Sequence, residues 1–231
     1  RKHTGVAMPP YSEITAEGEV ISTEQKREGP YGEWTGYYAS GERTEPILKV
    51  KRLMHRTNPI LTAAPSSRPP GGADDGLLRS AFIWDHMDKA GVPDVRGVGC
   101  YQGRFFTAVS IKQRYPGHAK QAAMIAAQCQ TGAYLGRYVV VGDDDIDVYD
   151  MNDVLWAMCT RVDPAADTDF LRRAWSGPLD PAIPKDRKGF SSRAIIDATK
   201  PYEWVKDFPK ASAASEELKN KVAEKYGKYF R

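Results

Sequence analysis

A chain of 231 residues with 41% hydrophobic and 27% charged side chains has room for one large domain or two small ones, and its composition is that of an ordinary globular protein. Its 33 basic and 30 acidic residues leave a formal charge of only +3, with no long basic block, which argues against a nucleic-acid partner. No apolar run approaches the roughly 18 to 20 residues that span a bilayer, so no membrane segment is expected.

Residues 1–64 read as strands. Ile47-Leu48-Lys49-Val50-Lys51-Arg52-Leu53-Met54 combines β-formers with rough alternation. Residues 65–76, opening Pro65-Ser66-Ser67-Arg68-Pro69-Pro70-Gly71-Gly72, break regular structure and read as a linker. Residues 77–231 alternate helices and strands. Leu77, Leu78, Ala81, Phe82 and Asp85 have helical spacing, and Gly91 and Pro93 follow as stop signals. Phe105 to Ile111 predicts a strand, His118 to Gln130 an Ala-rich helix, and Tyr138 to Val141 a short strand apolar enough for a buried sheet. Asn152 to Arg161 predicts a helix with acidic residues at its start. A last amphipathic helix is expected near Ser215 to Tyr229, with Leu218, Val222 and Tyr226 on one face. The alternation makes the chain α/β, a mixed α+β architecture. The three cysteines (Cys100, Cys129, Cys159) lack CxxC spacing and suggest reduced thiols. With nothing near Arg1 reading as a signal peptide, the cytoplasm is the expected compartment.

Chemistry concentrates in Glu28-Gly29-Pro30-Tyr31-Gly32-Glu33-Trp34-Thr35-Gly36-Tyr37-Tyr38. Pro30 fixes φ and removes an amide, while Gly29 and Gly32 permit conformations closed to other residues, so the segment is bent rather than helical. It can aim both carboxylates at one point, or it can serve as a polar surface turn. Carboxylates packed together or screened from water hold a proton near neutral pH, which suits general acid chemistry. The run Asp143-Asp144-Asp145 with Asp147 and Asp150 lacks the Gly and Glu of a calcium loop and fits turn and cap chemistry instead. His118 reads as a structural residue near a helix start, and His55 and His86 have no cluster partners.

The bent segment resembles the Glu-Gly-Pro-Phe-Gly-Glu signature of the UbiD family of decarboxylases, with Tyr31 in place of Phe. Three further stretches are similar to family segments in the same order. They are Tyr115-Pro116-Gly117-His118-Ala119-Lys120-Gln121-Ala122, the run from Val139 through Asp147 to Asn152-Asp153-Val154-Leu155-Trp156, and Ser192-Arg193-Ala194-Ile195-Ile196-Asp197-Ala198-Thr199.

The resemblance implies that the first part completes a split β-barrel that binds flavin and that the second is an α/β oligomerisation domain. It implies reversible, non-oxidative decarboxylation of an aromatic, heteroaromatic or α,β-unsaturated carboxylic acid with prenylated FMN as electron sink. Glu33 takes the position of the proton donor, and Glu28 that of a partner in an ionic network whose Arg would lie upstream of Arg1. Arg193 stands where the family usually carries a Lys that approaches the flavin phosphate, and Leu77 falls near the apolar lining of the substrate pocket. Mn2+ with K+ nearby would bridge the phosphate to ligands upstream of this segment, so no metal ligand is expected here. The expected partners are an upstream flavin-binding half, a flavin prenyltransferase that supplies the cofactor, and further copies of the chain. A non-catalytic subunit of a multi-subunit carboxylase is the alternative. An ordinary flavin oxidoreductase is disfavoured, because no nucleotide-binding glycine motif is present.

Overall fold

The computed structural model describes residues 5–39, 41–61, 63, 66, 68 and 76–229. Two strands, β1 (Ile14–Glu28) and β2 (Arg43–His55), form an antiparallel ribbon. After it come α1 (Gly76–Lys89), β3 (Val95–Tyr101), β4 (Phe106–Ile111), α2 (His118–Gln128), the short α3 (Gln130–Ala133), β5 (Tyr138–Asp143) and α4 (Met151–Arg161). Strands β6 (Thr168–Trp175) and β7 (Phe190–Ala198) complete a second sheet, and α5 (Glu216–Tyr226) follows. That sheet has five strands in the order β3-β4-β5-β7-β6, with β4, β5 and β7 parallel and the two edge strands antiparallel to their neighbours. The architecture is mixed α/β, and no barrel closes among the described residues.

Period-2 alternation divides the central strands between two cores. Val109 and Ile111 of β4, Val139 and Val141 of β5 and Ile195 of β7 meet α1 and α2 through Ile83, Met87, Ala122, Ala123 and Ala126. Ala108, Val140 and Ala198 point the other way, onto Ile146, Val148, and Val154 and Ala157 of α4. Alanines along α2 bring that helix close to the sheet, so the stripe seen in the sequence is a packing face. Helix α1 ends as its glycine predicts. Gly91 has φ 79°, and the Val92 amide donates to the Met87 carbonyl at 3.0 Å. The Ala-rich helix stops two residues early, because Cys129 turns extended (φ −60°, ψ 158°) before α3 resumes.

Leu77, Leu78 and Phe82 do not face the core; α1 buries Arg79, Ser80, Ile83 and Met87 instead. Helix α5 starts at the Ser215 cap but buries no residue, and its pair within the first turn is Glu216–Lys219 at 2.6 Å. Residues 200–231 form a compact unit of their own, apart from residues 1–199. The linker read at 65–76 lies almost wholly outside the described residues, as does Phe230.

His118 opens α2 completely buried, its ring 4.7 Å from that of Tyr115. Burial lowers its pKa, partly opposed by the Pro93 carbonyl and Asp94, while Arg114 adds to the lowering. The unfolded chain takes up a proton near the ordinary value of about 6.5, and the folded chain resists it. Stability is therefore expected to hold above that pH and to fall as pH drops through it. Urea unfolding from pH 7.5 to 5 should show the decline, reduced in His118→Phe.

Candidate active site

The ribbon positions the bent segment. Glu28 is the last residue of β1 and pairs in register with Arg43, the first of β2, whose Nε lies 3.7 Å from Glu28 and 2.6 Å from Glu45. These groups are largely exposed, so the pair contributes little stability while aligning charge. Arg43 thus stands beside Glu28 and is a different residue from the arginine that the resemblance expects upstream of Arg1. The cross-strand register carries that pairing, and it is visible only once β1 and β2 are known to pair.

Gly29 follows with φ 91°, joined to Pro30 by a cis peptide. A Cβ at Gly29 would sit 2.6 Å from the Gly41 carbonyl oxygen, a contact that nothing on that backbone can relieve. Gly29→Ala is accordingly expected to destabilise the hairpin end by about 1–3 kcal/mol, measurable as a lowered thermal midpoint.

Glu33 is fixed through its backbone. Its amide donates to the Tyr37 carbonyl at 3.0 Å, and the Gly36 amide donates to the Glu33 carbonyl at 2.9 Å. The resulting turn half-buries Glu33, buries Thr35 and leaves Tyr31, Tyr37 and Tyr38 exposed. Trp34 leaves the turn to pack on Phe105, with ring centroids 5.3 Å apart. Glu33 thus sits, partly buried, on a turn held by its own backbone and next in the chain to a packed indole.

The other predicted residues lie elsewhere. Leu77 is 79% exposed on α1 and presents an apolar edge with Leu78 and Phe82. Arg193 is 1% exposed at the centre of β7. Its guanidinium donates to the Gly136 carbonyl at 3.0 Å, to the Trp175 carbonyl at 2.9 Å, and to the carbonyls of Ala127 and Ala133. Four of its five N–H groups are thus engaged by the ends of α2 and α3 and the loops beside them, and burial lowers its pKa. A flavin phosphate contact here would require some of these bonds to be given up.

The aspartates after β5 hold structure. Arg161 grips Asp143 at 3.1 Å and Asp145 at 3.0 Å, Gln113 donates to Asp143 at 2.7 Å, and Asp150 caps α4 by accepting from the Asn152 amide. Among the described residues no group of three His, Cys, Asp or Glu side chains could hold a metal ion, and no helix is long and apolar enough to cross a membrane.

Comparison with known proteins agrees with the motifs. Residues 1–69 match the Rift-related domain of 3-octaprenyl-4-hydroxybenzoate carboxy-lyase (UbiD), and residues 75–198 match its C-terminal domain. A phenolic acid decarboxylase of Bacillus subtilis is 33% identical over 87% of this chain and 42% of its own length. The UbiD-class enzyme HmfF of Pelotomaculum thermopropionicum, solved with FMN, superposes with TM-score 0.76 at 30% identity, covering 92% of this chain and 46% of that one. An evolved dimeric form of HmfF, solved with prFMN, gives TM-score 0.68 at 28% identity, over 93% and 44%. Vanillic acid decarboxylase of Sedimentibacter hydroxybenzoicus gives 0.74 at 30%, over 94% and 47%. The chain spans about half the length of each of these relatives. From both of its matched segments, the chain belongs to the UbiD family of carboxy-lyases.

Proposed function

We propose that the complete protein is a carboxy-lyase that interconverts an aromatic, heteroaromatic or α,β-unsaturated carboxylic acid with its decarboxylated product and CO2, and that this chain supplies its acid–base residues. The observation that carries the reading is the Glu33 turn, fixed by two backbone hydrogen bonds five residues after Glu28, in a chain of this family. Prenylated FMN, when bound, would accept the electron pair that the carbon keeps when its bond to CO2 breaks. Its phosphate, with Mn2+ and K+, would be held by residues outside this chain's described part.

Within the chain, the positions of these residues in the family's signature support a division of work. Glu33 delivers the proton to the carbon that has lost its carboxylate, and takes it back in the carboxylation direction. Glu28 and Arg43 set the charge around it. The exposed Tyr31, Tyr37 and Tyr38 and the apolar edge at Leu77 are surfaces that a flat acid or the rest of the enzyme would cover. The two-stranded ribbon needs such cover. Val20, Leu48, Val50 and Leu53 are exposed on it, and a lone hairpin is marginally stable in water.

Helix α5 presents Leu218, Val222 and Tyr226 on one stripe with none of them buried, which suits a homo-oligomer contact. Light scattering of the complete enzyme should show more than a monomer.

The test of the reaction is turnover by the complete protein co-expressed with a flavin prenyltransferase. CO2 release from an aryl, heteroaryl or cinnamic-type acid supports it. Flavin loading without turnover of any of them would favour a non-catalytic subunit, a reading that the half-length coverage keeps in view.

A further inference from the structure

We infer that Phe105 and Arg137, anchored on the buried Asp180, are positioning residues for Glu33 and act through Trp34. This rests on the proton-donor reading of Glu33. The anchor lies within the α/β part. Asp180 is 1% exposed, and its carboxylate accepts from Arg137 Nη2 at 2.5 Å, the Ala182 amide at 3.1 Å and the Ser176 hydroxyl at 2.9 Å. Lys188 donates to the Asp180 carbonyl at 2.6 Å, which ties down the loop that carries the aspartate. Arg137 is held from both directions, because the Ala194 amide of β7 donates to its carbonyl at 2.9 Å.

Arg137 in turn fixes Phe105 twice. Its guanidinium carbon lies 5.3 Å from the centroid of the Phe105 ring, and the amides of Arg137 and Tyr138 donate to the Phe105 carbonyl at 3.0 and 2.9 Å. The same ring meets that of Trp34, at 5.3 Å and tilted by 30°. The indole is boxed on a second side by Gly103, where a Cβ would lie only 2.5 Å from Trp34 Cζ3. Trp34 is covalently next to Glu33, so its ring is a lever on the turn that carries the carboxylate.

The sheets make this contact matter. Neither ribbon strand pairs with the five-stranded sheet, so hydrogen-bonded strands do not fix the Glu33 turn against the α/β part. Side-chain stacking at Trp34 and Phe105 joins them, and a proton donor must be placed to within a fraction of an ångström to work. A structural role alone would make this stack a source of stability. The positioning role makes it a determinant of kcat.

Phe105→Leu in the complete, flavin-loaded enzyme separates the two. The expected result is a fall in kcat of about 10- to 100-fold with KM changed less than about 3-fold. Amide exchange at residues 33–37, read by mass spectrometry on the folded protein, should accelerate at least about 10-fold. Phe105→Tyr keeps the ring and should restore both readouts. Should Phe105→Leu fold poorly, Trp34→Leu breaks the same contact from the ribbon side and should give the same pattern. Unchanged exchange at 33–37 in both Leu variants overturns the inference, and so does faster exchange with kcat intact. Normal turnover in Glu33→Gln would instead remove the proton-donor reading, leaving the exchange result to stand on its own.

Discussion

Glu33→Gln in the complete, flavin-loaded protein is expected to lower decarboxylation by at least about 100-fold, with folding and flavin content unchanged. Gln keeps the length and shape of the side chain and can still donate a hydrogen bond, but it carries no titrating proton. The backbone bonds that build the turn, from Glu33 to Tyr37 and from Gly36 to Glu33, do not involve the carboxylate. The turn should therefore survive and the loss should fall on kcat. Steady-state rates of CO2 release, with thermal melting and the flavin-to-protein absorbance ratio as controls, check it. Turnover within a few-fold of wild type would remove Glu33 from the donor role.

Arg193→Ala should have the largest effect on stability. The substitution removes a buried guanidinium that satisfies four backbone carbonyls and leaves a cavity between β7 and the ends of α2 and α3. Each buried acceptor left without a partner costs about 1–3 kcal/mol at most, and shared or relaxed acceptors cost less, so a total near 3–5 kcal/mol is expected. Arg193→Lys should recover only part, because an ammonium has three donors and no planar fork. Denaturant unfolding of flavin-free protein measures this. If the side chain instead served mainly to hold a flavin phosphate, Arg193→Ala would unfold like wild type and lose flavin, while Arg193→Lys would keep it.

The helices that could be read from the sequence were those with both a period and a boundary signal. Helix α1 had Gly91, α4 had Asp150 before it, and α5 had Ser215. Buried β5 was legible because Val139-Val140-Val141 admits few other settings. Strand β7 was not, since the residue at its centre is an arginine. Charge reads as surface unless its partners are known, and the carbonyls that hold Arg193 come from positions 18 to 66 residues away in the chain. Helical spacing alone did not say which face of α1 is buried: the helix turns Ile83 and Met87 to the sheet and leaves Leu77 exposed. At the candidate site, Glu28, Gly29, Pro30 and Glu33 stand out in the sequence because they fall within six consecutive residues. The Trp34–Phe105–Arg137–Asp180 chain could not, because its members come from four separate segments that only the fold brings together.

The central claim, proton delivery by Glu33 to a carbon that has lost CO2, is tested most directly by turnover in D2O. The complete protein, loaded with prenylated FMN, would be given a panel of aryl, heteroaryl and cinnamic-type acids. The expected result is one CO2 released per product molecule and one deuterium at the carbon that carried the carboxylate, with no nicotinamide consumed and with Glu33→Gln at least about 100-fold slower. Flavin-loaded wild-type protein that releases no CO2 from any acid, or a Glu33→Gln variant that deuterates product at the wild-type rate, would contradict it.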